Sequence, residues 1–250
     1  MKRIQFTLCL WVCLCVRPCL SCAQLLEVPM SKHRLDEHIV YHLGYTVSYN
    51  SSLLIPNWVA YQITADEAKG NVPRSGSFCL DPQLDEDTAF PSDYTSSGWD
   101  RGHMAPAGDM KWDEDAMKES FYMSNICPQS KELNGGAWRV LEEAIRKWVI
   151  RDGAIWVVCG PIVDSDCVTI GDNKVTVPKA FWKVICKQKG DAYCSIGFLF
   201  PNEDCKGSIY DYSCSVDNIE EKTGNDFFYL LPDYLEEPME SAFSAKDWNN

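Results

Sequence analysis

The sequence predicts an α+β domain, and three observations carry that prediction. Five runs rich in β-branched and aromatic residues read as strands, at 45–49, 58–64, 154–159, 181–187 and 194–200. Helical periodicity is confined to 113–120 and 137–151, so strands and helices do not alternate in a βαβ rhythm. Of the 250 residues, 46% are hydrophobic and 24% charged, ordinary globular proportions that exclude a wholly disordered chain. No internal repeat or low-complexity tract interrupts the sequence, which leaves one domain over residues 24–250.

Taken in chain order, residues 1–23 read as an export signal. Lys2 and Arg3 start it, Ile4 to Val16 form an apolar run too short for a typical membrane span, and Ser21-Cys22-Ala23 offers a cleavage site before Gln24. The expected location is therefore periplasmic or secreted. Leu20-Ser21-Cys22 is only a loose lipobox, with Cys at 19 where Leu is usual, and lipid anchoring through Cys22 is the less favoured route. Residues 79–98, rich in Asp, Pro, Ser and Thr, read as a surface loop. In the second helix Trp138, Leu141, Ile145 and Trp148/Val149 recur at three- and four-residue steps and build one apolar face, and Asp152-Gly153 ends it. Lys187 to Asp191, between the last two strands, predicts a hairpin. No transmembrane helix is expected after the signal.

Charge and cysteine usage narrow the function classes. The formal net charge is -13, with 36 acids against 23 bases, which excludes a protein held to nucleic acid by bulk positive charge but allows a local basic cleft. Removing residues 1–23 takes away three bases and no acid. Of four His, only His103 lies beyond the N-terminal fifth, which argues against a multi-histidine zinc centre. Five of 13 Cys fall in the signal; the remaining eight are Cys79, Cys127, Cys159, Cys167, Cys186, Cys194, Cys205 and Cys214. An even count in an exported chain predicts disulfides, with local bridges 186–194 and 205–214 preferred. No Cys-x-x-Cys supports a zinc ribbon or thioredoxin-like site among these eight.

The chemistry-bearing stretch runs from Trp99 to Arg146. In Asp100-Arg101-Gly102-His103 the Arg and His are two residues apart, so an extended strand places both on one face. A neutral imidazole beside a guanidinium joins a base to a phosphate-binding fork, and the cation disfavours protonation of the base. Asn134 precedes the amphipathic helix, which carries Glu142 and Arg146 one turn apart. An amide oxygen and a carboxylate are hard ligands suited to Mg²⁺. Taken alone, Asn134-Gly135 would be turn chemistry and Glu142–Arg146 a surface ion pair.

These motifs resemble the DNA/RNA non-specific endonucleases of the ββα-metal type, which include secreted bacterial and mitochondrial members. Asp100-Arg101-Gly102-His103 matches the signature, in company with Ser124-Asn125 and Asn134-x-Gly136-Ala137-Trp138. The resemblance spans nearly the whole mature chain, and includes Val72-Pro73-Arg74 and Pro178-x-x-Phe181-Trp182-Lys183. It implies a central, mainly antiparallel sheet flanked by helices. It also implies His103 as general base, Asn134 as direct metal ligand, and Glu142 in the outer shell through water. Arg101, Arg74 and Arg146 match phosphate-handling arginines, and Asn125 an asparagine that orders the site or substrate. The implied cofactor is Mg²⁺, with Mn²⁺ as substitute. The implied reaction is hydrolysis of DNA and RNA to 5′-phosphate products. Cys127 departs from many members, as a stiffening bridge or an oxidation hazard beside the site. The rival is a catalytically silent nuclease-like binding module, which a missing His or Asn would have favoured.

Overall fold

Along the longest strands apolar residues occupy both faces, so a sheet covered on one side would leave half of them in water. The computed structural model, which describes residues 25–33, 36–84 and 88–248, covers both. The expected export signal and its cleavage site lie outside the described residues. The described chain opens with strands β1 (Met30–Ser31), β2 (His38–Tyr41), β3 (Thr46–Asn50) and β4 (Ile55–Ile63). Next come β5 (Asp100–His103), α1 (Glu114–Glu119), β6 (Ile126–Gln129), a short α2 (Lys131–Leu133) and α3 (Arg139–Asp152). Strands β7 (Ile155–Ile162), β8 (Thr169–Ile170), β9 (Val175–Thr176), β10 (Ala180–Lys189), β11 (Ala192–Pro201) and β12 (Ser213–Cys214) follow. Helix α4 (Val216–Thr223), β13 (Asn225–Asp226) and α5 (Asp233–Ser241) complete the order.

Seven strands form the main sheet in the order β12-β11-β10-β7-β4-β3-β2, every neighbouring pair antiparallel. The α+β class and the central antiparallel sheet are as expected. On one face Val59, Tyr61, Val157, Phe181 and Ile185 pack against Leu141 and Ile145 of α3. On the other, Trp58, Ala60, Val158, Trp182 and Val184 meet Val216 and Ile219 of α4, Phe227, Phe228 and Met239 of α5. Each fully buried Leu, Ile or Phe contributes roughly 1.5–3 kcal/mol, so this alternation is what holds the three layers together.

All five expected strands are present, and several are longer than their apolar runs. Gln188 and Lys189 join β10 because they pair with Tyr193 and Ala192, so the hairpin turn shrinks to Gly190-Asp191. Gly190 has φ +65°, a left-handed turn position that glycine takes without a Cβ clash. Helix α1 begins where Asp113 accepts hydrogen bonds from Asp115 N and Ala116 N. The apolar face expected of α3 is buried at Leu141, Ile145, Trp148 and Val149. The described parts of 79–98 are not simply a surface loop, since Asp81, Ala89, Asp93 and Tyr94 are buried. His42 Nε2 lies 2.8 Å from the Asp81 carboxylate, and Asn173 Nδ2 donates to Asp93 at 3.0 Å. Partners from the body of the fold satisfy these acids, which is why polar composition did not mean exposure.

The expected disulfides are not formed: all eight cysteines among the described residues are free. The register explains the failure of the first pair. Cys186 lies opposite Ser195 and Cys194 opposite Lys187, so the two thiols leave opposite faces of the sheet. Cys186 packs with the α4–α5 layer and Cys194 with the α3 layer. Cys205 and Cys214 are divided in the same way between those layers. Cys127 is a buried free thiol in β6, opposite Gly102. Peptide mapping of unreduced protein should find no 186–194 or 205–214 linked fragment, and finding either would contradict this register.

Candidate active site

Strands β5 and β6 pair as a separate two-stranded ribbon, with Asp100 opposite Gln129 and His103 opposite Ile126. Gly102 is required there because a Cβ would run into the Gln129 side chain. Arg101 and His103 share one face of β5, as the spacing predicts. Both stand against the Phe78 ring, at 5.3 and 5.4 Å. Phe121 meets His103 edge-on at 5.1 Å, and the imidazole is 8% exposed. Its Nε2 is buried and has no hydrogen-bond partner among the described residues. Burial, reinforced by the Arg74 charge, pushes the His103 pKa down to about 3. The imidazole is therefore neutral and its ring nitrogen uncommitted, a state that costs about 1–3 kcal/mol in a buried group.

Two arginines stand against the Phe78 and Phe121 rings that hold this imidazole. Arg101 donates from Nη2 to Pro91 O at 2.7 Å and lies over the Phe78 and Tyr94 rings, while its Nε is buried without a partner among the described residues. Arg74 is exposed, with its guanidinium 5.2 Å from the Phe121 centroid. Asn125, by contrast, is consumed by the backbone. Its Oδ1 accepts from Ala105 N at 2.8 Å, and its Nδ2 donates to Ala105 O at 2.8 Å and Ser120 O at 2.9 Å. Of the two roles the resemblance allowed, the geometry supports ordering the loop after His103.

Ser130 caps α2, and a wide π-type turn over Asn134–Trp138, broken at Gly136, leads into α3. Two hydrogen bonds tie this turn to β5. Asn134 Nδ2 donates to Asp100 Oδ2 at 3.1 Å, and Trp138 Nε1 donates to His103 O at 3.2 Å. With its nitrogen committed, Asn134 keeps Oδ1 as an acceptor for a cation. Glu142, eight residues on, receives no hydrogen bond among the described residues. Burial raises its pKa to about 7, against the opposing charge of Lys183 and with the push of Asp109. An amide oxygen and an unclaimed carboxylate are the hard donor set that a Mg²⁺-class ion takes.

Arg146 does not form the i,i+4 ion pair with Glu142. Its Nη1 turns to Asp109 at 2.7 Å, and Tyr61 OH donates to the other Asp109 oxygen at 3.0 Å. Half of the Arg146 fork is thus spent on a buried acid. Lys183 is fully buried beneath, 4.3 Å from the Trp138 ring centroid and 3.5 Å from Met104 O. Asp100, Asp109 and Lys183 were absent from the expected site. Their signals were present: Asp100 opens the quoted motif, Asp109 follows His103 by six residues, and Lys183 is a charge inside an apolar strand run.

A family model described as DNA/RNA non-specific endonuclease matches residues 24–234. The chain belongs to that family. A nuclease of Serratia marcescens is 36% identical over 214 residues, covering 81% of this chain and 79% of its own. The mitochondrial nuclease EXOG of Danio rerio is 36% identical over 208 residues, or 76% of this chain and 61% of that protein. The chain thus spans about three-fifths of the length of that mitochondrial relative. Among solved structures of the fold, EndoG in its complex with EndoGI aligns with TM-score 0.75 and 28% identity, over 80% of this chain and 89% of that one. The DNA/RNA non-specific endonuclease assignment agrees with the β5–β6–α3 unit, the two strands and helix of the ββα arrangement. No helix among the described residues is long and apolar enough to cross a membrane.

The depressed His103 pKa has a stability consequence with a definite sign. Between the unfolded value near 6.5 and the folded value of about 3, the unfolded chain binds a proton here that the folded chain refuses. Stability is unaffected above that window and falls with acid inside it, by about 2–3 kcal/mol at pH 4.5 from this group. His103→Gln should therefore lose less stability than wild type between pH 7 and 4.5 in urea titrations. Equal losses would show that the imidazole titrates freely.

Proposed function

We propose that the protein is an exported, metal-dependent endonuclease that hydrolyses phosphodiester bonds of DNA and RNA without regard to sequence, leaving 5′-phosphates. The observation that carries this reading is the buried, neutral, unpartnered Nε2 of His103, standing beside Arg101 and Arg74. In this reading His103 Nε2 takes a proton from water, and the water oxygen forms a bond to phosphorus. The bond from phosphorus to the 3′ oxygen breaks, its electron pair leaves with that oxygen, which takes a proton from solvent, and the imidazolium returns its own proton to solvent. Arg101 and Arg74 hold the non-bridging oxygens, whose charge rises as the water attacks, so their pull is stronger in the transition state. Arg146 contributes mainly through field, since Asp109 holds one arm of its fork. Asn134 Oδ1 would hold a Mg²⁺- or Mn²⁺-class ion directly, and Glu142 would act on it through water. A cation bound there would supply positive charge to offset that of the phosphate and of the departing oxygen.

The contacts proposed are all to phosphate, which carries no base information and suits weak sequence preference. Export rests on the character of residues 1–23, and action on both nucleic acids on the family. His103→Ala should lower single-turnover cleavage of supercoiled plasmid by about 100-fold or more, with Mn²⁺ affinity by calorimetry retained. Asn134→Ala should lose metal affinity and turnover together. The opposite pattern, with metal binding lost in His103→Ala and kept in Asn134→Ala, would invert the two roles. Cleavage of plasmid and structured RNA should also fall steeply between roughly 20 and 300 mM salt, and a flat profile would count against phosphate-dominated binding.

A further inference from the structure

On the face of the sheet opposite His103, two helices bring together carboxylates that ion pairs explain only in part. Asp217 and Glu220 lie one turn apart on α4, and Glu240 arrives from the last turn of α5. One ligand oxygen from each lies within 4.8 Å of the others. Asp226 and Glu236 line the same cleft. Like charges at such spacings destabilise the elements that carry them, so the arrangement needs compensation.

The compensation on the page is partial. Lys32, half exposed, places Nζ 3.4 Å from Glu220 Oε2 and 3.7 Å from Asp226 Oδ1. Phe227 N donates to Glu220 Oε1 at 2.8 Å. Among the described residues no base comes within ion-pair distance of Asp217 or Glu240. Glu240 is the independent observation: it is only 5% exposed, and its Oε1 is buried with no hydrogen-bond partner among the described residues. A carboxylate removed from water in this way is ordinarily paired or bound to a metal.

We infer that Asp217, Glu220 and Glu240 form a second cation site, of the calcium class, that clamps α4 to α5 independently of catalysis. An all-oxygen, carboxylate-rich set drawn from two helices suits Ca²⁺, which takes six to eight oxygens in flexible geometry, better than Mg²⁺, which demands an octahedron. Affinity in the range of about 10⁻⁴–10⁻³ M, that of extracellular calcium modules, is expected. The clamp acts where α5 is anchored to the sheet, since Ser195 Oγ donates to Met239 O at 2.6 Å.

The test uses the Asn134→Ala chain, so that the catalytic metal position does not respond. In it, 10 mM Ca²⁺ after EDTA treatment should raise Tm by about 4–8 °C. Adding Glu240→Gln, or separately the exposed Asp217→Asn, should abolish most of that rise. Asp217→Asn keeps the experiment informative if the buried substitution fails to fold. Glu240→Gln in the otherwise natural chain should leave Mg²⁺-supported plasmid cleavage unchanged. The absence of any Ca²⁺ response in the Asn134→Ala chain, or an undiminished response in the Asp217→Asn variant, would overturn the site.

Discussion

The candidate site depends on how firmly the start of α3 is lashed to β5. Asn134 reaches back to Asp100 at the first residue of the strand, and Trp138 reaches the carbonyl of His103 at its last. Between them they set the position of an amide oxygen, a carboxylate and an imidazole that come from separate elements. The rest of α3 has little freedom, because Leu141, Ile145 and Val149 are fully buried in the layer above the sheet. Reactions that need atoms aligned to within about 1 Å depend on rigid supports of this kind.

Beneath that lashing lies a set of charges that stability alone does not explain. Lys183 and Asp109 are buried, and Arg146 is committed to Asp109. Burying ions is costly even when they are paired, and apolar residues of similar volume often replace them without loss. Burial raises the Glu142 pKa to about 7, and these charges act on it in both directions. Above them Arg74 helps keep His103 unprotonated. A chain with a net charge of -13 thus concentrates arginines and a lysine around one ribbon. Of these, Arg74 is exposed and Arg101 partly so, while Lys183 is fully buried.

The sheet keeps this cationic layer apart from the acidic cleft between α4 and α5. Trp58, Val158, Trp182 and Val184 form a dry layer between the two. Acids gathered on the far face do not cancel the field at His103, and their mutual repulsion is borne by helices that carry no part of the site. Residues 79–98 work in the other direction. Asp81 and Asp93 pin an irregular segment to the body. Pro91, from the same segment, supplies the carbonyl that orients Arg101.

What the sequence determined by itself was whatever local pattern encodes. The apolar runs of β4, β7, β10 and β11 and the three-four spacing of α3 specify their elements because each buries a regular set of side chains. Arg101 and His103 share a face because strand geometry repeats every two residues, and the family signature follows from that short stretch. Helices α4 and α5 were not legible, since each offers two buried positions and α5 contains Pro238. Only the tertiary structure decided which charges meet. Arg146 pairs with Asp109 rather than Glu142, Asn125 spends its amide on the backbone, and Cys186 and Cys194 face opposite layers. Each of these outcomes depends on register or on contacts between segments tens of residues apart, where burial sets the strength of every interaction and spacing along the chain carries no record of it.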